Sequence, residues 1–447
     1  MREFNKFITA SQAELLIKSE FSAAMENSYV KTPKFLRRAR KQKITIARSL
    51  KSEAASSRTE LSSRARLFEE LGSIKLEALD YSAKSVIMQG KLEDEGAIFG
   101  NSAINFCVTP FKLPKKTLKN IETVAREGLI CLKECTPPTQ DMTATEKYLS
   151  DISRKPNAAR VDIVLTDEGP KIIEINTQWV DGIQILEGLK KVVLGNIDTS
   201  PTKLLSDQYR SRQKLGIIYI NTASGSRSTG ETKSLERMAE RMKASDLFSY
   251  VEILDPEKYR SEYIKTFPSI YFDGDPSMIR GSEVPDWVKS VFNNTQITVF
   301  PSLNPRFDKK PVLTEAYLKR PDLFCPSYNF PEYDSLGIDL NTPSWVLKGD
   351  GFSSRQVAIS NTEMFSNLWE DALMFPNEYI LQPALTSSEV QPMFVFDTSS
   401  NKPALIKKPN SKFNVWIINN RVAGTMVSVS EEKIISDGDF NTIPIPC

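Results

Sequence analysis

Residues 160–182, RVDIVLTDEGPKIIEINTQWVDG, constrain this chain more than any other stretch. Val161, Ile163 and Leu165 alternate with Arg160, Asp162 and Val164, the period of a half-buried strand. Asp167, Glu168 and Gly169 read as a turn, with glycine free to take positive φ. Residues 171–176 form a second strand, on which Glu174 and Asn176 are two apart and share a face. A turn over 167–169 sets Asp162 opposite Glu174 and Arg160 opposite Asn176. Facing carboxylates repel. Either a cation between them relieves the conflict, and Asp, Glu and Asn oxygens suit Mg²⁺, or the hairpin is an exposed one in which Arg160 neutralises its neighbours.

The chain has no histidine. That excludes Ser-His and Cys-His catalysis, His-ligated zinc and imidazole acid–base chemistry. Catalysis must then rest on carboxylates, Lys, Arg, Tyr, Cys, backbone amides or an oxygen-held metal. Phosphoryl and acyl-phosphate chemistry, which works by positioning and charge neutralisation, meets that condition. At 447 residues, 40% hydrophobic and 26% charged, the chain is long enough for two or three globular domains. A net charge of +2 gives no overall case for a nucleic-acid partner. No apolar run is long enough to suggest a membrane span, and residues 1–21 lack the apolar core of a secretory signal. Five cysteines without a disulfide framework fit a reducing cytoplasm.

Residues 1–150 read as a mainly helical region. Within it, residues 31–51 carry nine Lys and Arg side chains and no acid (Lys31, Lys34, Arg37, Arg38, Arg40, Lys41, Lys43, Arg48 and Lys51). This segment is either a solvated helix face or a dock for an acidic peptide or carrier protein. Leu61, Leu67, Leu71, Ile74 and Leu76 have helical spacing, and residues 113–134 form an amphipathic helix with Cys131 and Cys135 as core thiols. Residues 151–330 begin with the hairpin and continue as a helix over 183–194 ending at Gly195, then a polar connector over 200–214. Strands at 215–220, 250–254 and 269–272, with a Gly/Ser loop and a helix over 233–243, make a small inserted α/β layer. Residues 331–447 start a third region. A strand at 345–348 ends in Lys348, a loop with Gly349 and Gly351 follows, and a second strand spans 356–359. Residues 378–383 form a strand ending at Pro383, and 413–419 with 422–429 form a hairpin turning at Asn420 and Arg421.

In that order these segments resemble the ATP-grasp ligases, in the branch containing glutathionylspermidine synthetase and related peptide ligases. The string R-V-D, an acidic-Gly turn and E-I-N is similar to the metal-binding hairpin of that branch. The resemblance covers residues 150–447 and implies an α+β, ATP-grasp fold with the α/β layer inserted. It implies ATP and Mg²⁺ as cofactors, with Mg²⁺ held by Asp162, Glu174 and Asn176. Arg160 would meet phosphate or the substrate carboxylate, and Lys348 with Gly349 and Gly351 would contact the phosphates. Either Lys309 or Lys310 would touch ATP, and Gln382 in Y-I-L-Q would border the adenine. The W-x-x-x-G segment is matched loosely by Trp416 to Gly424. One departure stands out: the family often carries an Arg shortly after that glycine, where this chain has Met426, Val427 and Ser428.

The implied activity is ATP-dependent amide-bond formation through an acyl phosphate, from a small-molecule or peptide carboxylate and an amine. Two other readings use the same residues. One is phosphoryl transfer to a hydroxyl; the other is a non-catalytic ATP-grasp-fold binding protein that docks partners through its basic segment.

Overall fold

The chain divides into two compact units, Met1–Asp80 and Tyr81–Cys447. The computed structural model describes residues 84–447 apart from short stretches, among them 178–181, 220–228 and 350–356. The basic segment at 31–51, the leucine-spaced segment at 61–76, the Gly/Ser loop and Gly351 therefore lie outside the described residues. Among the described residues no helix is long and apolar enough to cross a membrane.

In chain order the strands begin with β1 (Ile98–Phe99), β2 (Ser102–Ala103), β3 (Phe106–Cys107), β4 (Phe111–Leu113), β5 (Ala158–Thr166) and β6 (Gly169–Asn176). The first four interrupt a region expected to be mainly helical, because Phe106, Phe111 and Leu113 are each buried against later parts of the chain. Next come β7 (Gln213–Tyr219), β8 (Phe248–Leu254), β9 (Ser269–Asp273) and β10 (Thr298–Phe300). They form a four-stranded sheet in the order β10-β9-β7-β8 in which every neighbouring pair is parallel. Parallel strands need crossovers, and helices Thr229–Ala244, Ser261–Ile264 and Asp286–Phe292 supply them. Strands β7, β8 and β9 fall on three segments expected as strands, and β10 was not expected. The expected polar connector before β7 contains a short helix, Pro201–Ser206, because Leu204 and Leu205 are buried.

The strands β11 (Tyr328–Asn329), β12 (Trp345–Gly349), β13 (Val357–Ile359) and β14 (Tyr379–Pro383) make an antiparallel sheet in the order β11-β14-β12-β13. Helix Glu363–Met374 covers it, with Thr362 Oγ1 capping the first turn by accepting from the Phe365 amide. Last come β15 (Met393–Asp397), β16 (Lys402–Ile406), β17 (Asn410–Ile418), β18 (Arg421–Ser430), β19 (Phe440–Thr442) and β20 (Pro444–Pro446).

The largest sheet has eight strands in the order β16-β15-β3-β19-β18-β17-β5-β6. It collects strands from both sides of the parallel layer, so the chain leaves this sheet after β6 and re-enters it at β15. Its back face is apolar. Val161 and Ile163 on β5 and Phe413, Val415 and Ile417 on β17 pack with Ile121, Ala125 and Leu129 of helix Lys115–Leu132. The β17–β18 hairpin turns one residue earlier than expected, at Asn419 and Asn420, with φ of 45° and 62°. Asparagine tolerates that left-handed backbone and arginine does not, so Arg421 opens the second strand. Across this hairpin Trp416 pairs with Gly424. A Cβ on Gly424 would stand 3.1 Å from Leu186 Cδ2 of helix Ile183–Leu194. Gly424→Val should therefore cost about 1–3 kcal/mol through overpacking, read as a shift of the urea midpoint; an unchanged midpoint would show that Leu186 yields freely.

Candidate functional site

The hairpin pairs as expected at the positions that matter. Asp162 lies opposite Glu174 and Arg160 opposite Asn176. The route differs, however. The turn contains two residues, Asp167 and Glu168, because Thr166 pairs with Gly169, whose φ is +116°. That shorter turn by itself would set every later pair off by one. A β-bulge between Asp162 and Ile163 restores the offset and leaves Ile173 with no partner on β5.

The bulge has a further consequence. β6 is the edge of the large sheet, and edge carbonyls need partners. The Ile173 carbonyl accepts from Lys348 Nζ at 3.0 Å and from Gln382 Nε2 at 3.3 Å. Lys348 is on β12 and Gln382 on β14, where their register places both on one face of the antiparallel sheet. The extra hairpin residue thus joins the two sheets through the residues singled out as a phosphate lysine and a hinge glutamine. Gln382 is held further by donating to Ser327 Oγ at 2.8 Å.

Four cations converge on the two carboxylates. Lys310 Nζ is 2.8 Å from Glu174 Oε1, and Lys348 Nζ is 3.8 Å from Oε2. Arg160 Nε is 3.1 Å from Asp162 Oδ1, and Lys412 Nζ is 3.2 Å from Oδ2. Burial would raise the Glu174 carboxyl, but Lys310 and then Lys348 outweigh it and hold the group well below the usual carboxylate range. Burial lowers the Lys348 ammonium, Glu174 opposes that, and Lys310 adds to it.

Of the two adjacent lysines, Lys310 enters this cluster. Lys309 turns away to Glu146 Oε1 at 3.4 Å. Glu146 is buried as half of a capping box, accepting from the Thr143 amide at 2.8 Å while Thr143 Oγ1 accepts from its own amide at 3.2 Å. Asp308 accepts from the Thr177 amide, tying the segment to the end of β6 and setting Lys310 over Glu174. Gly349 closes β12 just beyond Lys348.

Lys412 escaped the sequence reading, as did a row of neutral polar side chains beside it. Lys412 and Asn414 share the face of β17 that looks onto Asp162, and Asn414 is directly opposite Asp162. The signal lay in the alternation of Lys412 and Asn414 with buried Phe413 and Val415. Lys412 pairs across β17–β18 with Ser428. A cation thus stands one strand away from residues 426–428, where the resemblance implies an Arg. Arg421 is exposed at the hairpin turn, and Arg355 lies outside the described residues.

Oxygen donors decide whether a metal fits. Among the described residues no three Asp, Glu, His or Cys side chains stand together, so a third donor must be neutral. Asn176 is engaged: with its amide turned to satisfy both neighbours, it donates to Glu174 Oε1 at 3.0 Å and accepts from Arg160 Nη2 at 3.2 Å. Asn414 Oδ1 is buried with no hydrogen-bond partner, which costs about 1–3 kcal/mol. Glu174, Asp162 and one amide oxygen make an all-oxygen set of the kind Mg²⁺ takes, so the residues present fit the ion.

No family model matches the chain, and no curated protein sequence does. Solved structures superpose loosely. A glutathione synthetase-like effector from Globodera pallida aligns at 11% identity over 83% of this chain and 98% of that one, with a TM-score of 0.48. A putative gamma-glutamylcysteine synthetase from Methylobacillus flagellatus KT aligns at 10% identity over 76% and 87%, with a TM-score of 0.32. D-alanine–D-alanine ligase from Bacillus anthracis aligns at 12% identity over 52% and 87%, with a TM-score of 0.30. None of the three reaches a TM-score of 0.5, and what the chain does is read from its own side chains.

Proposed function

We propose that this chain is an ATP-dependent carboxylate–amine ligase of the ATP-grasp type. One observation carries the reading. Lys348, Gln382 and one of the adjacent pair Lys309 and Lys310, which come from three separate segments, all meet the hairpin that holds Arg160, Asp162 and Glu174.

A cluster of buried cations around two carboxylates is built to exchange partners. Lys310, Lys348 and Lys412 each hold a carboxylate now and would take phosphate oxygens when ATP enters. Arg160 would orient the substrate carboxylate through its planar fork. An oxygen of that carboxylate attacks the γ-phosphorus, and ADP leaves with the bonding pair. The amine then attacks the carbonyl carbon and phosphate departs, leaving an amide and releasing the amine's proton. The protein's work is to align the reactants and neutralise charge, which needs no imidazole. Asp162, Glu174 and an amide oxygen would hold Mg²⁺, which supplies charge neutralisation at the phosphates. The acceptor amine and carboxylate are small molecules or peptides, and the basic segment at 31–51 is a dock for an acidic peptide or carrier protein.

The test is ADP release across a panel of amino acids, peptides and amines, with mass spectrometry of products. Release should require Mg²⁺. Lys310→Met should lower it about 100-fold, as expected for losing one charge on the transferring group, whereas Lys309→Met should leave turnover within about twofold of wild type, since its partner Glu146 belongs to a helix cap. Equal effects of the two would remove Lys310 from the site. A stable phosphorylated product without any amine would assign phosphoryl transfer instead.

A further inference from the structure

We propose that Asn414 supplies an oxygen donor to the divalent cation, in one cross-strand row with Asp162 and Glu174; this rests on the nucleotide-binding reading above. The register sets Glu174 opposite Asp162 and Asp162 opposite Asn414. Residues directly opposite in a ladder project from the same face, so the three side chains stand in a line across β6, β5 and β17.

The orientation of the Asn414 amide follows from the far end of a hydrogen-bonded row. Asn441 Nδ2 donates to the carbonyls of Asp439 at 2.7 Å and Asn105 at 3.4 Å. Its Oδ1 therefore faces Ser428 as an acceptor. The Ser428 hydroxyl has one hydrogen and gives it to Asn441 Oδ1 at 2.8 Å. Toward Asn414 that hydroxyl can only accept, and Asn414 Nδ2 stands 2.8 Å from it. With its nitrogen turned to β18, Asn414 directs its oxygen to the other side of β17, where β5 carries Asp162. That oxygen has no hydrogen-bond partner, and the residue is 1% exposed.

An acceptor fixed through two side chains, Ser428 and Asn441, and left open beside two carboxylates asks for a cation. The Asn176 oxygen accepts from Arg160 Nη2 at 3.2 Å, whereas the Asn414 oxygen has no hydrogen-bond partner. A buried amide oxygen is also a suitable hard donor where two neighbouring carboxylates are already charged. Ser428 and Asn441 act through Asn414 and are positioning residues.

The experiment is calorimetric titration of the full chain with β,γ-imido-ATP, once in Mn²⁺ and once in EDTA, with the Mn²⁺ spectrum followed by electron paramagnetic resonance. Asn414→Leu should weaken the Mn²⁺ complex about 10-fold and leave metal-free binding unchanged. Asn414→Asp keeps an oxygen and should retain Mn²⁺-dependent binding. Ser428→Ala, which frees the amide to turn, should lose part of it and alter the Mn²⁺ spectrum. Equal losses with and without Mn²⁺, no loss at all, or Asp behaving as Leu would overturn the proposal. Should Asn414→Leu fail to fold, an unchanged Mn²⁺ preference in Ser428→Ala overturns it. A wild-type chain that binds the nucleotide in neither condition brings down the functional reading together with this one; a variant that keeps its Mn²⁺ preference brings down this one alone.

Discussion

Glu174→Leu should destabilise the protein by about 3 kcal/mol, the usual cost of leaving a buried charge unpaired. Here two cations lose one partner. Lys310 and Lys348 have 11% and 6% of their side chains exposed and both rest on Glu174. Lys348 retains only the Ile173 carbonyl among its named contacts with the hairpin. Urea unfolding at neutral pH measures the loss, and a loss below about 0.5 kcal/mol, the range of ordinary surface changes, would show that the lysines reach water when released. The pH dependence has a definite sign. The folded Glu174 carboxyl is held below its ordinary value of 4.5, so its contribution is complete above that value and fades as the pH falls through the folded-state pKa. The stability gap between wild type and Glu174→Gln should therefore be constant from pH 5 to 7 and narrow in acid. A gap that stays constant in acid would mean that Glu174 titrates alike in folded and unfolded chains.

Lys412→Met should lower ADP release about 100-fold, the effect of deleting one charge that faces a developing anion, while costing less stability than Glu174→Leu. Asp162 keeps Arg160 at 3.1 Å after Lys412 is gone, so no buried charge is orphaned. Lys412→Arg should restore part of the rate, since a guanidinium retains the charge but differs in reach and planarity. Steady-state ADP release and urea unfolding on the same preparations separate the two effects. An undiminished rate in Lys412→Met would remove Lys412 from the catalytic site.

Much of the candidate site was legible because β-strand chemistry is local. The two-residue period of 160–176 gave the shared face of Arg160, Asp162, Glu174 and Asn176, and the register came out as expected. The reason for it did not: a two-residue turn and a bulge at Ile173 together give the offset that a three-residue turn would have given. Nothing local distinguishes these, since Asp167, Glu168 and Gly169 suit either turn. Lys348 and Gln382 were legible as strand-end residues, but their common hydrogen-bond partner is the carbonyl freed by that bulge. The choice between Lys309 and Lys310 was undecidable from adjacency, because it depends on Glu146 and Glu174, which lie far away in the chain.

The sequence by itself determined the chemistry available to this protein. A chain without histidine does no imidazole chemistry, and facing carboxylates on a hairpin with lysines at strand and loop ends suit charge neutralisation and positioning. Periodicity also determined helix Ile183–Leu194 and three of the four strands of the parallel sheet, because their apolar spacing is short-range. Only the tertiary structure decided which cations reach the carboxylates. It set Lys412 and Asn414 beside Asp162 through pairing of strands some 250 positions apart in the chain. It also aimed the Asn414 oxygen through a hydrogen bond chain anchored at Asn105. Those choices belong to long-range strand pairing, in which a partner is selected by burial of the opposite, apolar face of the sheet. The polar face is carried along with that choice, and its contacts are therefore invisible until the sheet is assembled.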